Sequence, residues 1–112
     1  MANLLIDEGS VTVALTMTEK FEALHGDVVL PRSSVRDVRV VQDGMEEIHG
    51  MKMPGTGFPG VVMVGTWRDT AGVTFAVCHG RRPAVVLELA GQPYDRVVVT
   101  VENPEEALDA FG

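Results

Sequence analysis

Six short constellations in the sequence carry residue types that do chemistry. Gly55-Thr56-Gly57-Phe58-Pro59-Gly60 spells G-x-G-x-x-G, the pattern whose glycines let a backbone approach a pyrophosphate seated on a helix N-terminus. Its context argues against that use, because the β-branched run Val61-Val62-Met63-Val64 follows where a helix should begin, and Pro59 removes an amide donor. The reading preferred here is a structural crossing between two sheets, with Gly supplying positive φ and Pro fixing φ. Cys78 and His79 suggest a thiol nucleophile and its base, but neighbours on a strand point to opposite faces, which leaves a structural thiol.

Glu46 and His49 stand three apart, the helical spacing of half a di-iron motif, and no second E-x-x-H completes it. His25, His49 and His79 are scattered along the chain, and Glu46-Glu47 are helix neighbours that do not face each other, so neither set defines a metal or acid/base site. Arg81-Arg82 falls in a tight turn and suits at most a small anionic contact. No catalytic residue, metal ligand or cofactor follows from these patterns.

The chain has 112 residues and a net charge of −7. That length fits one domain, residues 1–112, able to bury about two-thirds of its unfolded surface. One cysteine permits no internal disulfide, which favours a reducing compartment, and the start MANLLIDEGS has neither the basic segment nor the apolar length of a leader or membrane span. A cytoplasmic location is expected. After Pro83 the acids Glu88, Asp95, Glu102, Glu105, Glu106 and Asp109 face the single base Arg96, a field that repels phosphate-rich partners. Nucleic acid and anionic membrane are therefore not expected as partners.

Alternation over Ser10–Met17, with Val11, Val13, Leu15 and Met17 on one face, predicts a half-buried strand. Thr18–Leu24 changes period and predicts a helical turn or widened corner, with Gly26 as its stop. Further strands are expected over Asp27–Pro31, Val35–Gln42, Val61–Arg68, Val73–His79, Ala84–Leu89 and Asp95–Val101, with Met51–Gly60 as the longest irregular segment and a helical turn over Gly44–His49. Asn103-Pro104-Glu105-Glu106 reads as a helix start, and Ala107, Leu108 and Phe111 as its buried stripe. The sum is seven strands in an antiparallel meander closed by a short C-terminal helix.

Three blocks give this pattern a relative: Ala23-Leu24-His25-Gly26-Asp27-Val28-Val29-Leu30-Pro31; Pro54 to Gly60 with Gly65-Thr66-Trp67 behind it; and Asn103-Pro104-Glu105-Glu106. Over Ser10–Phe111 the chain resembles the bacterial pleckstrin-homology-like domains, in particular an actinobacterial group of about this length. The resemblance implies a mainly β fold of seven antiparallel strands in two nearly orthogonal sheets, a barrel with the C-terminal helix at one end, and no catalytic residues. Phosphoinositide binders of the wider family use a basic cluster near the first strand pair, where this chain sets Lys20 against Glu19, Glu22 and Asp27. Lipid headgroup binding is not carried over.

Most strands also place aliphatics on the face away from the expected core: Ala14, Val29, Val41, Val62, Val64, Ala76, Val86 and Val98. β-propensity alone explains them, or they form a second buried surface, with Val62, Val64, Val86 and Val98 as the expected interface. The function expected is a non-catalytic interaction or homo-oligomeric module. The alternative is a small-molecule-binding barrel whose mouth is lined by Met51, Met53 and Phe58. An acid/base enzyme built on Glu46, His49 or His79 needs those groups to meet in one cleft.

Overall fold

A computed structural model describes residues 1–111. The described elements are β1 (Asn3–Ile6), β2 (Ser10–Ala14), α1 (Met17–Ala23), β3 (Val28–Pro31), β4 (Val35–Val41), β5 (Met51–Phe58), β6 (Val62–Asp69), β7 (Gly72–His79), β8 (Ala84–Leu89), β9 (Arg96–Thr100) and α2 (Pro104–Phe111), with single 3-10 turns at Arg32–Ser34 and Gly44–Glu47. The fold is mainly β, with two sheets and a C-terminal helix. One sheet has the order β1-β2-β3 and the other β4-β8-β9-β7-β6-β5.

This corrects the expected seven-stranded barrel in three ways. The sheets do not close. Nine strands are described, the additional ones being β1 and β5. And β9 inserts between β7 and β8, pairing parallel with β7 and antiparallel with β8, so the second half is not a simple meander. The physical reason is visible in β9 itself: Val97, Val98 and Val99 are all fully buried, the unbroken apolar run that a central strand covered on both faces requires.

The stretch expected to be a loop is a strand because its glycines admit close backbone approach. Gly55 and Gly65 lie opposite each other across β5 and β6, both with positive φ, and a Cβ on Gly55 would stand 2.6 Å from the Val64 carbonyl oxygen. Pro54 falls in the register shift between Lys52 and Gly55. Only Pro59-Gly60 turns the chain, with the Val61 amide donating to Phe58 O at 2.9 Å and Gly60 at φ 87°. The six glycine-rich residues are thus the end of one hairpin strand and its turn, and β6 follows in place of a helix.

The middle of the six-stranded sheet, strands β7, β9 and β8, is buried on both faces. On one, Phe75, Val77, Val85, Leu87, Val97 and Val99 pack against Val11, Val13, Val28 and Leu30 of the small sheet and against Ala107 of α2. On the other, Ala76, Cys78, Val86 and Val98 are covered by Met45 and Ile48 from the segment around the Gly44–Glu47 turn, and by Trp67. Gly44 fits there because a Cβ would lie 2.6 Å from that of Ala84. This cover overturns the expected interface. Val86 and Val98 are internal to the chain, Val64 belongs to the main core, and half-buried Val62 packs against that same core.

α1 starts on a capping box: Thr16 Oγ1 accepts from the Glu19 amide at 3.1 Å and Glu19 Oε1 accepts from the Thr16 amide at 2.8 Å. It stops at Leu24, in the left-handed region at φ 53°, two residues before the expected Gly26. α2 spans the open side between the sheets, in contact with β4, β8 and β1.

Candidate interaction surfaces

The residues singled out for chemistry are dispersed. Cys78 and His79 point to opposite faces of β7, as alternation requires: Cys78 lies in the core beneath the Gly44 segment, and burial, with the charge of Asp43, pushes its thiol pKa up to about 12. His25 donates from Nδ1 to the Gly26 carbonyl at 2.7 Å, so its Nε2 accepts the Tyr94 hydroxyl at 2.8 Å. Tyr94 itself is shifted upward by burial, against a hydrogen bond from Thr66. His49 lines a cleft of only about 50 Å³ with Glu47, Glu88 and Arg96.

The acids of that cleft are occupied. Arg39 donates to Glu88 and Glu47, both at 2.7 Å, and Arg96 Nε donates to Glu88 at 3.0 Å. Burial raises the Glu88 pKa, but the two arginines outweigh it and hold the carboxyl below its usual range. Asp69 and Asp95 accept from backbone amides of the β6–β7 turn. Glu46 is exposed, Arg81 pairs with Asp43 at 2.8 Å, and no group of three or more His, Cys, Asp or Glu among the described residues is placed to hold a metal ion. Glu46, His49 and His79 do not meet in one cleft.

One buried carboxylate with a distant partner is not legible in the sequence. Glu19, 1% exposed, contacts His79 Nε2 through Oε2 at 2.6 Å while its other oxygen caps α1. Burial alone would raise the Glu19 pKa. The Thr16 amide and His79 more than offset it, and the net shift is downward. Thr16-x-x-Glu19 is a legible capping box, whereas the partner sixty residues away is set by the fold. A second hook, Thr56 Oγ1 donating to Glu22 O at 3.0 Å, ties α1 to β5.

Held by these hooks, α1 turns apolar side chains to solvent. Met17 and Phe21 are 78% and 79% exposed one helical turn apart, and Leu24, 70% exposed, follows at the left-handed C-cap. Met51, Met53 and Phe58 of β5 and Val61 of the adjoining turn are also exposed. None of the three described clefts is lined by Met51, Met53 or Phe58, which stand on an open strand edge rather than at a barrel mouth. Seven of the ten exposed large apolar residues described thus belong to α1 and its C-cap, β5 and its turn.

The largest described cleft, about 690 Å³, lies elsewhere, between β1 and α2. All four β1 residues form one wall, and Glu102, Asn103, Glu106, Ala107 and Ala110 line the other. Among the described residues no helix is long and apolar enough to cross a membrane. Compared with known proteins, the chain matches no family model, no curated protein and no solved structure.

Proposed function

We propose that this domain is a protein-interaction module without catalysis, and that it self-associates through the side carrying α1 and β5. The observation that carries the reading is the concentration of exposed apolar residues there, when single scattered ones are normal on a monomer. The contact runs through side chains, because the β5 edge is blunted by Pro54 and a register shift. A second copy suits the surface, since the same patch on two chains meets in a twofold contact. The bacterial pleckstrin-homology-like assignment and a reducing, cytoplasmic setting belong to this reading. Two sheets with a terminal helix, and a single buried thiol, support it, while the parallel β7–β9 pair departs from the expected topology.

Native mass spectrometry over a concentration series tests the proposal. The wild-type chain is expected to give a dimer or higher oligomer, and Phe21→Ser combined with Met53→Lys a monomer with an unchanged circular dichroism spectrum. A wild-type chain that stays monomeric at tens of micromolar, or an oligomer indifferent to both substitutions, overturns it.

A further inference from the structure

Two open sheets leave four edge strands: β1, β3, β4 and β5. Such an edge is a template for another strand, and proteins blunt the edges they do not use with bulges, prolines or charges. Three of the four are blunted here. β4 has a register shift between Val35 and Asp37, β5 has one around Pro54, and β3 ends on Pro31. β1, Asn3-Leu4-Leu5-Ile6, has none of these devices and pairs with β2 in unbroken register. It is also the edge that faces the largest cleft.

The opposite wall of the cleft is built to stay in place. Arg32 donates from Nη1 to Asp7 O at 3.0 Å, in the β1–β2 turn, and from Nη2 to Ala110 O at 2.9 Å, in α2. Its guanidinium lies 5.4 Å from the centre of the Phe111 ring. The helix is therefore fixed beside the strand edge before anything binds, which lowers the ordering cost of an incoming segment. Asn103, Glu106, Ala107 and Ala110 recur at the spacing of one helical face, presenting small residues with a carboxylate, and Glu102 adds a second.

We infer that the β1–α2 cleft receives an extended, basic segment of a partner protein, which adds to the small sheet as a fourth strand. Four residues at about 3.3 Å each give an edge of about 13 Å, the length of a four- or five-residue strand. Main-chain hydrogen bonds to β1 supply the attachment, and Lys or Arg side chains meeting Glu102 and Glu106 supply the selection. The chain's net charge of −7 favours approach of the same partner.

The test uses the whole protein and three capped peptides: alternating Lys-Val, the same peptide N-methylated at every second residue, and alternating Glu-Val. Amide resonances report where each binds. The Lys-Val peptide is expected to shift Asn3–Ile6 and the 102–110 segment saturably and to slow hydrogen exchange in β1. The N-methylated and Glu-Val peptides are expected to fail. Glu102→Lys with Glu106→Lys, both exposed in the native chain, is expected to weaken binding about ten-fold, the combined effect of two lost surface ion pairs. Equal binding of the N-methylated peptide overturns strand addition, and equal binding of Glu-Val overturns the basic partner. Absence of saturable shifts at β1 up to millimolar peptide overturns the site, as does β1 protection that grows with protein concentration alone, the mark of a second copy in the cleft.

Discussion

The two helices invert each other's polarity. α2 follows the common rule: Ala107 is buried, Leu108 and Phe111 are half-buried, and Glu105, Glu106 and Asp109 face water. α1 buries Glu19 beside Ala23 and exposes Met17 and Phe21, with Leu24 exposed at its C-cap. The difference is one of anchorage. α2 buries its apolar side chains, with Arg32 holding only its C-terminal end through the Ala110 carbonyl and the Phe111 ring, whereas α1 is held by side-chain hydrogen bonds from Glu19 and Thr56 that fix its rotation about its own axis. A helix rotated to bury Phe21 would lose the Glu19 contact to His79. The polar anchor thus keeps the apolar stripe outside, linking a buried carboxylate in the fold to an exposed surface available for function.

Breaking that anchor is expected to have the largest effect. Glu19→Ala removes the acceptor for the Thr16 amide and the partner of His79, and empties a buried position between exposed Thr16 and half-buried His79. A cost of about 1–3 kcal/mol is expected in denaturant unfolding, from the lost cap and the lost contact to His79 together. Glu19→Gln keeps the shape and one acceptor and should cost about half as much. A Glu19→Ala loss below about 1 kcal/mol would show that packing, and not the hydrogen bonds, orients α1.

Acid provides the same perturbation without mutation. The folded-state pKa values of Glu19 and Glu88 lie below their ordinary value of 4.5, so the unfolded chain takes up protons first as pH falls. Their contribution to stability is complete above the unfolded value and is lost as pH drops through the folded ones. Unfolding free energy is therefore expected to be flat near neutrality and to fall below about pH 4.5, with a shallower acid limb in Glu19→Gln. An unchanged acid limb in that variant would assign the titration to the other carboxyls held low, Glu88 with its two arginines and Asp7 with the amides of Ser10 and Gly9.

Legibility in the sequence divides along similar lines. Alternation reveals β6, β7 and β8 to within a residue, and the correct inner faces of β7, β8 and β9, because period 2 is a local property of half-buried strands; it carries β2 three residues too far, to Met17, which instead opens α1 and is exposed. It misplaces Val62 and Val64 of β6, which face the main core, since runs of valine with apolar neighbours on both sides do not state which side is inward. β5 reads as a loop because Gly and Pro mark turns far more often than close strand contacts. The place of β9 between β7 and β8 is invisible, as a valine run looks the same in parallel and antiparallel pairing. The candidate surfaces were read least. β1 is four residues long, and the orientation of α1 involves a contact from Glu19 to His79 on a strand sixty residues away.

Phe21→Ser makes the smallest demand on stability and is the sharpest test of the inverted helix. Phe21 is 79% exposed, and Ser and Phe have similar helix propensity, so at concentrations where the chain is monomeric the stability should change by no more than about 0.5 kcal/mol. Self-association adds a concentration-dependent term to the wild type alone, because a partner that binds only the folded state stabilises it by mass action. The stability gap between wild type and Phe21→Ser is therefore expected to open as protein concentration rises. A gap of more than 1 kcal/mol already present in the dilute monomer would mean that Phe21 packs within its own chain, and α1 would then be an ordinary amphipathic helix like α2.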